Sequence, residues 1–262
     1  MPFHTTADGT RLHYRLDGRP GKPLLVLGNS LGTDMFMWDR QVHALTKDFR
    51  VLRYDVRGHG ASDVAPGDYS METLGRDVLS LADHVQATQF DYAGVSLGAM
   101  TGQWLAINAP QRLRHVVLSN AAAHLPSHES WSARMELARK DGMAGLLDMV
   151  MPRFFSQQYR DLDEPYYHSV RTSFTAMSAQ GYAGCCAAIR DTDFRPQLAG
   201  ITVPVLVICG SLDAATPPET FGAELVAGIP NARSVTLPAG HIANIEQPDA
   251  FNRAVLEFLS TT

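Results

Sequence analysis

The chain has 262 residues, 22 Lys and Arg against 27 Asp and Glu, a formal net charge of −5, 45% hydrophobic residues and three cysteines. A chain of this length buries roughly 70–75% of its unfolded surface, enough for a large core without disulfides or metal. No basic stripe stands out, which excludes a nucleic-acid footprint and leaves no reason to expect an anionic membrane as partner. Cys185, Cys186 and Cys209 are odd in number, two are adjacent, and no CxxC or HExxH spacing accompanies them, so they read as buried thiols of a reducing compartment. The start, MPFHTTADGT, lacks a basic then apolar leader, and no run of about 18 apolar residues occurs. The expectation is a soluble, cytoplasmic protein.

In chain order, residues 3–6 and 12–16 are strand-like around an Asp8-Gly9 turn and predict a hairpin. Leu24-Leu25-Val26-Leu27 follows, and Asp34 is placed to cap a helix running through Trp38, Val42 and Leu45. Val51-Leu52-Arg53-Tyr54 precedes a helix capped by Ser70, whose Met71, Leu74, Val78, Leu81 and Val85 share one face. Tyr92-Ala93-Gly94-Val95, Val116-Val117-Leu118 and Val205-Leu206-Val207-Ile208 complete a set of short apolar runs of the kind that strands covered on both faces require. The last helix begins after Pro248 and turns Phe251, Val255, Phe258 and Leu259 inward. Strands alternating with helices predict an α/β fold, a mostly parallel sheet with helices on both faces.

Between Leu118 and Val203 the alternation stops for about 80 residues, too long for a structureless loop in a compact domain. Residues 122–195 are therefore expected to form a helical cap inserted between core segments 1–121 and 196–262. The stretch contains Met135, Met143, Met149, Met151, Met177, Trp131, Phe154, Phe155, Tyr166, Tyr167 and Phe174. Such side chains fill irregular apolar space, either as the insertion's own core or over a pocket.

Gly94-Val95-Ser96-Leu97-Gly98 fits G-x-S-x-G between a strand and a helix, the context in which the pattern carries meaning. A tight strand-to-helix turn strains the serine backbone, demands small neighbours and exposes the hydroxyl at the carboxyl edge of the sheet. Ser96 is thus the candidate nucleophile. A serine hydroxyl needs a base, and the base an orienting acid, in the chain order Ser, Asp or Glu, His. Asp213 follows the run at residues 205–208, and His241 follows the strand-like residues 234–237. His59, in Arg57-Gly58-His59-Gly60, precedes the serine and reads as structural. His115, His124 and His128 read the same way. An oxyanion needs two donors: the N–H of Leu97, after the nucleophile, and one from the loop Gly28-Asn29-Ser30-Leu31-Gly32, aligned with Leu31.

At these residues the sequence resembles the α/β-hydrolase family and, more closely, its 3-oxoadipate enol-lactonases. The closer likeness rests on Asn29-Ser30-Leu31-Gly32-Thr33 with Trp38, on residues 52–60 with the RGHG motif, and on Gly181-Tyr182-Ala183-Gly184-Cys185-Cys186-Ala187-Ala188-Ile189-Arg190. Many relatives carry His-Gly where this chain has Asn29-Ser30. The RGHG and Thr192-Asp193-Phe194-Arg195 segments also resemble cofactor-free haloperoxidases and general carboxylesterases, which form the alternative reading; a ligand receptor with a hydrolase shell is a third.

The resemblance implies a small anionic lactone as substrate, opened by Ser96, Asp213 and His241 with neither cofactor nor metal. The substrate's carboxylate then needs a local cation. Trp131 and Arg134 are three residues apart on one helix face and offer an apolar wall and a guanidinium fork. Arg139 and Lys140 compete for that role, and the Ser30 hydroxyl is a further candidate contact.

Overall fold

The computed structural model describes residues 2–260. The hairpin forms from β1 (Phe3–Thr5) and β2 (Arg11–Asp17), paired antiparallel. Six further strands follow: β3 (Leu24–Gly28), β4 (Arg50–Tyr54), β5 (Phe90–Val95), β6 (Leu113–Ser119), β7 (Val205–Gly210) and β8 (Arg233–Leu237). They lie in the order β1-β2-β4-β3-β5-β6-β7-β8. β2 runs antiparallel to β4, and every pairing from β4 to β8 is parallel. β3 and β5 are buried at every residue, which explains their unbroken apolar runs.

Three core helices cross between these strands: α1 (Asp39–Leu45), α2 (Met71–His84) and α3 (Leu97–Asn108). The chain steps from β3 to β4 in one direction and from β5 to β6 in the other. Right-handed crossovers therefore place α1 on one face and α2 and α3 on the opposite one. The reversal opens a crevice beyond the carboxyl ends of β3 and β5, the place where open α/β sheets bind ligands. Ser70 caps α2 by accepting from the Thr73 amide, as its position predicts. Asp34 departs from its expected role. It caps a short 3-10 turn over Met35–Trp38, and α1 starts only at Asp39 without a side-chain cap.

The stretch after β6 holds α4 (His128–Asp141), α5 (Leu147–Phe154), α6 (Gln157–Asp161), α7 (Pro165–Ala176) and α8 (Ala179–Arg190). We propose 122–195 as the bounds of this cap, supported by an antiparallel bridge between His124 and Asp193 that ties its two ends together. α4 packs along α8, and α8 rests on the core loop that carries Gly58. That seat is unusually bare: Gly58, at φ +78°, meets Gly181 so closely that a Cβ on either would collide with the other's backbone. Nearby, the Tyr69 amide donates to the Gly184 carbonyl at 3.0 Å. Elsewhere the Ser173 hydroxyl donates to Asp34 at 2.6 Å, joining α7 to the loop after β3.

Beyond the cap come α9 (Ala223–Gly228), α10 (Ala243–Glu246) and α11 (Pro248–Leu259), the last burying Phe251, Val255, Phe258 and Leu259 as expected. Glu246 in α10 accepts from both the amide and the hydroxyl of Ser156, each at 2.8 Å, and so pins the cap from the other side. Cys185 and Cys186 are buried, whereas Cys209 is only half-buried, because its position in β7 faces outward under Gly222. Among the described residues no helix is long and apolar enough to cross a membrane.

Candidate active site

Ser96 sits at the junction of β5 and α3 with φ +55° and ψ −111°, a conformation that costs a non-glycine residue about 1–3 kcal/mol. The motif's glycines make that junction sterically feasible. A Cβ on Gly94 would strike the Gly98 carbonyl, and one on Gly98 would strike the Gly28 backbone. Two hydrogen bonds hold the turn in place: the Ser96 amide donates to the Ser119 carbonyl and the Gly98 amide to the Asn29 carbonyl, both at 2.9 Å. The Ser96 side chain is half-buried and faces a cavity at the carboxyl edge of the sheet.

Asp213 and His241 meet behind that cavity. The Nδ1 of His241 lies 2.8 Å from Oδ2 of Asp213, and both residues are buried. Asp213 also accepts from Asn120 Nδ2 at 2.9 Å, from the Thr216 hydroxyl at 2.7 Å, and from the amides of Ala215 and Thr216. Burial by itself would raise this carboxyl, but the His241 charge and hydrogen bond, with donors from Thr216 and Asn120, outweigh it and hold Asp213 well below the usual carboxylate range. An ionised carboxylate only accepts, so the imidazole proton belongs on Nδ1 and Nε2 is left as the basic nitrogen. Nε2 is the atom free to serve the cavity, where His241 and Ser96 are both lining residues.

The loop after β3 is held by its own side chains. Asn29 donates to the Tyr54 carbonyl at 2.7 Å and accepts from Trp38 Nε1 at 3.0 Å. The Gly32 amide donates to Nε2 of His59 at 3.0 Å, so His59 supports the loop and is not among the cavity's lining residues. Burial lowers the His59 pKa to about 4, which keeps the ring neutral and Nε2 an acceptor. Among the described residues neither the Leu31 nor the Leu97 amide is engaged by an acceptor. Leu31 lines the cavity, and Leu97 opens α3, where free amides favour negative charge.

The cavity has a volume of about 400 Å³. Its wall is largely apolar, with Leu137, Met149, Phe154 and Ile189 among the lining side chains, and among the described residues no acid lines it. Arg134 enters it stacked against two rings, 5.2 Å from the Trp131 centroid and 5.4 Å from that of Tyr182. Its Nε is buried without an acceptor, as is the Ser30 hydroxyl. Arg139 and Lys140 are both exposed and absent from the lining, and Arg139 pairs with Asp68 at 3.2 Å. Among the described residues no group of three or more His, Cys, Asp or Glu side chains is gathered in a way that would hold a metal.

A family model describing the α/β hydrolase fold matches residues 23–248. The chain belongs to the α/β-hydrolase family. Within that family it is 39% identical to 3-oxoadipate enol-lactonase 2 of Acinetobacter baylyi, over 95% of this chain and 93% of the relative. It is 35% identical to enol-lactonase 1 of the same organism, over 94% and 92%. The crystal structure of the enol-lactonase from Burkholderia xenovorans LB400 superposes with a TM-score of 0.96 at 44% identity, covering 99% of this chain and all of that one. This α/β-hydrolase is an enzyme of the hydrolase class.

All eight residues singled out from the hydrolase sequence converge here, with Leu97 and Asp213 immediately behind the cavity wall. Three contributors escaped the sequence reading. Asn120, the residue after β6, adopts φ +49° and reaches Asp213 beyond the neighbouring strand. Thr216 follows Asp213 by three residues and supplies two of its donors. Arg153, near the end of α5, brings a second guanidinium to the cavity.

Proposed function

We propose that this α/β-hydrolase opens the ring of an anionic enol-lactone, converting 3-oxoadipate enol-lactone and water to 3-oxoadipate in bacterial aromatic catabolism. The observation that carries the reading is the cavity's charge: Arg134, with an unfilled buried donor and no acidic neighbour in the lining, stands in the same space as Ser96 and His241. In a protein of net charge −5 that is a receptor for a carboxylate on an otherwise apolar substrate. The names of the relatives support the ring and its chemistry.

In this reading Arg134 and Trp131 seat the carboxylate, and Ser30 offers its unfilled hydroxyl to the ring. Ser96 Oγ attacks the lactone carbonyl while His241 Nε2 takes its proton, and Asp213 stabilises the imidazolium that forms. The Leu31 and Leu97 amides hold the oxyanion, a contribution worth about 2.7–4 kcal/mol per donor in comparable sites. Collapse breaks the ring C–O bond and expels an enolate, which takes up a proton and tautomerises to the ketone. That removes the nucleophile that would re-close the ring. Water, deprotonated by His241, then attacks the acyl-enzyme and releases Ser96 and a second carboxylate.

The test is steady-state turnover of the enol-lactone with its carboxylate free and then esterified. The free acid is expected to give a kcat/KM at least about tenfold higher, equivalent to about 1.4 kcal/mol, and Arg134→Gln to erase that preference. A neutral aryl ester hydrolysed many-fold faster than the lactone would overturn the reading in favour of a general carboxylesterase.

A further inference from the structure

Arg134 is not the only cation in the cavity. Arg153 projects into it from α5, at the exposed mouth, and among the described residues neither arginine has an ion-pair partner. The two come from different cap helices, α4 and α5, yet they are close enough to repel. Partial burial and then the Arg134 charge lower the Arg153 pKa, while the charge of Asp213 opposes the shift. Arg153 therefore lies within electrostatic reach of both Arg134 and the Asp213–His241 pair.

Among the described residues no acid lines the cavity and neither guanidinium is paired, so each keeps a fork open to an incoming anion. One carboxylate fills one fork in a bidentate pair and leaves the second cation unmatched. The reaction proposed above starts with one carboxylate and ends with two, the new one released at Ser96. Charge in the cavity and charge on the product then agree, whereas charge on the substrate falls one short.

We propose that Arg153 is a second carboxylate subsite, and that with Arg134 it makes the cavity a receptor for an acyclic dicarboxylate of about six carbons. The inference rests on the proposed lactone reading for the identity of the dianion, not for the existence of the site. Its consequence is that the product binds more tightly than a monoanion of the same length and slows its own release.

The test is calorimetric titration of the intact protein with adipate and with hexanoate, which share chain length and differ by one carboxylate. Adipate is expected to bind at least about tenfold more tightly. Arg153→Gln should bring the two within about twofold by weakening adipate alone, and Arg153→Lys should restore part of the difference. A purely structural role for Arg153 would weaken both acids together. Equal binding by the wild type, no binding of adipate, or a ratio unmoved in Arg153→Gln would each overturn the proposal. Because no bond is broken in the titration, failure of lactone turnover would overturn the substrate assignment and leave this result standing.

Discussion

Phe154, from the last turn of α5, stacks near-parallel and offset beside His241, with ring centroids 6.1 Å apart and planes inclined by 24°. The cap thus touches the basic imidazole directly, and the ring orientation that serves Ser96 depends on a residue outside the core. Aromatic pairs of this kind are worth about 0.5–1.5 kcal/mol beyond their burial. Phe154→Leu keeps the apolar bulk and removes the stack. Steady-state kinetics on the lactone should show kcat reduced about three- to tenfold with KM changed less than twofold. A raised KM at constant kcat would instead make Phe154 a wall of the cavity only.

Ser96 combines strain with reactivity, and the two can be separated. Ser96→Ala should lower kcat by at least about 10⁴-fold while moving the urea midpoint little, because the hydroxyl is partly exposed. Ser96→Gly should be equally inactive yet more stable than the wild type by about 1 kcal/mol, since glycine tolerates φ +55° without strain. Denaturant unfolding of the three proteins checks both statements, and a glycine variant less stable than the wild type would contradict the strain assignment.

His59 gives stability a pH dependence of known sign. Its folded-state pKa of about 4 lies below the ordinary 6.5, so between these values the unfolded chain holds a proton that the folded one lacks. The stabilisation is complete above pH 6.5, declines as pH falls through the window and is lost near 4, for a total of about 3 kcal/mol. His59→Gln keeps an acceptor for the Gly32 amide and does not titrate. Urea unfolding at pH 6.5 and pH 5 should therefore cost the wild type about 2 kcal/mol more than the variant.

Glu246 joins the cap to the loop that carries His241. It accepts from the amide and hydroxyl of Ser156 and lies against Gly240; burial raises its pKa while the Ser156 donors oppose the rise. Glu246→Ala leaves them unmatched and should cost about 1–3 kcal/mol in unfolding free energy, with a fall in kcat as the loop before His241 loosens. Glu246→Gln, which still accepts with one oxygen, should recover most of both. An alanine variant as stable as the wild type would remove the linking role.

Much of this site was legible in the sequence because its demands are local. A strand, a serine flanked by two glycines and a helix specify a turn that few other residues can make, and Asp213 and His241 follow strands whose apolar runs are plain. What was hidden depends on how distant segments meet. Arg153 follows Pro152 on an exposed turn and looks like an ordinary surface charge until the cap's path brings it to the cavity. Asn120 and Thr216 matter only because β6 and the loop after β7 end side by side. The spacing of Trp38, Val42 and Leu45 concealed a break between a 3-10 turn and α1, since apolar periodicity does not register a change of helical pitch.

The meeting of Gly58 with Gly181 has a consequence for engineering. A seat made of bare backbone offers no side chain to retune, so it fixes the height of α8 above the sheet whatever the rest of the cap contains. Chimeras that exchange this cap for another would keep Gly58 but would have to reproduce Gly181 before any new pocket wall could line up with the serine. Libraries confined to α4 and α5, by contrast, can vary the wall while leaving the foundation in place, and they are where new specificities should be sought.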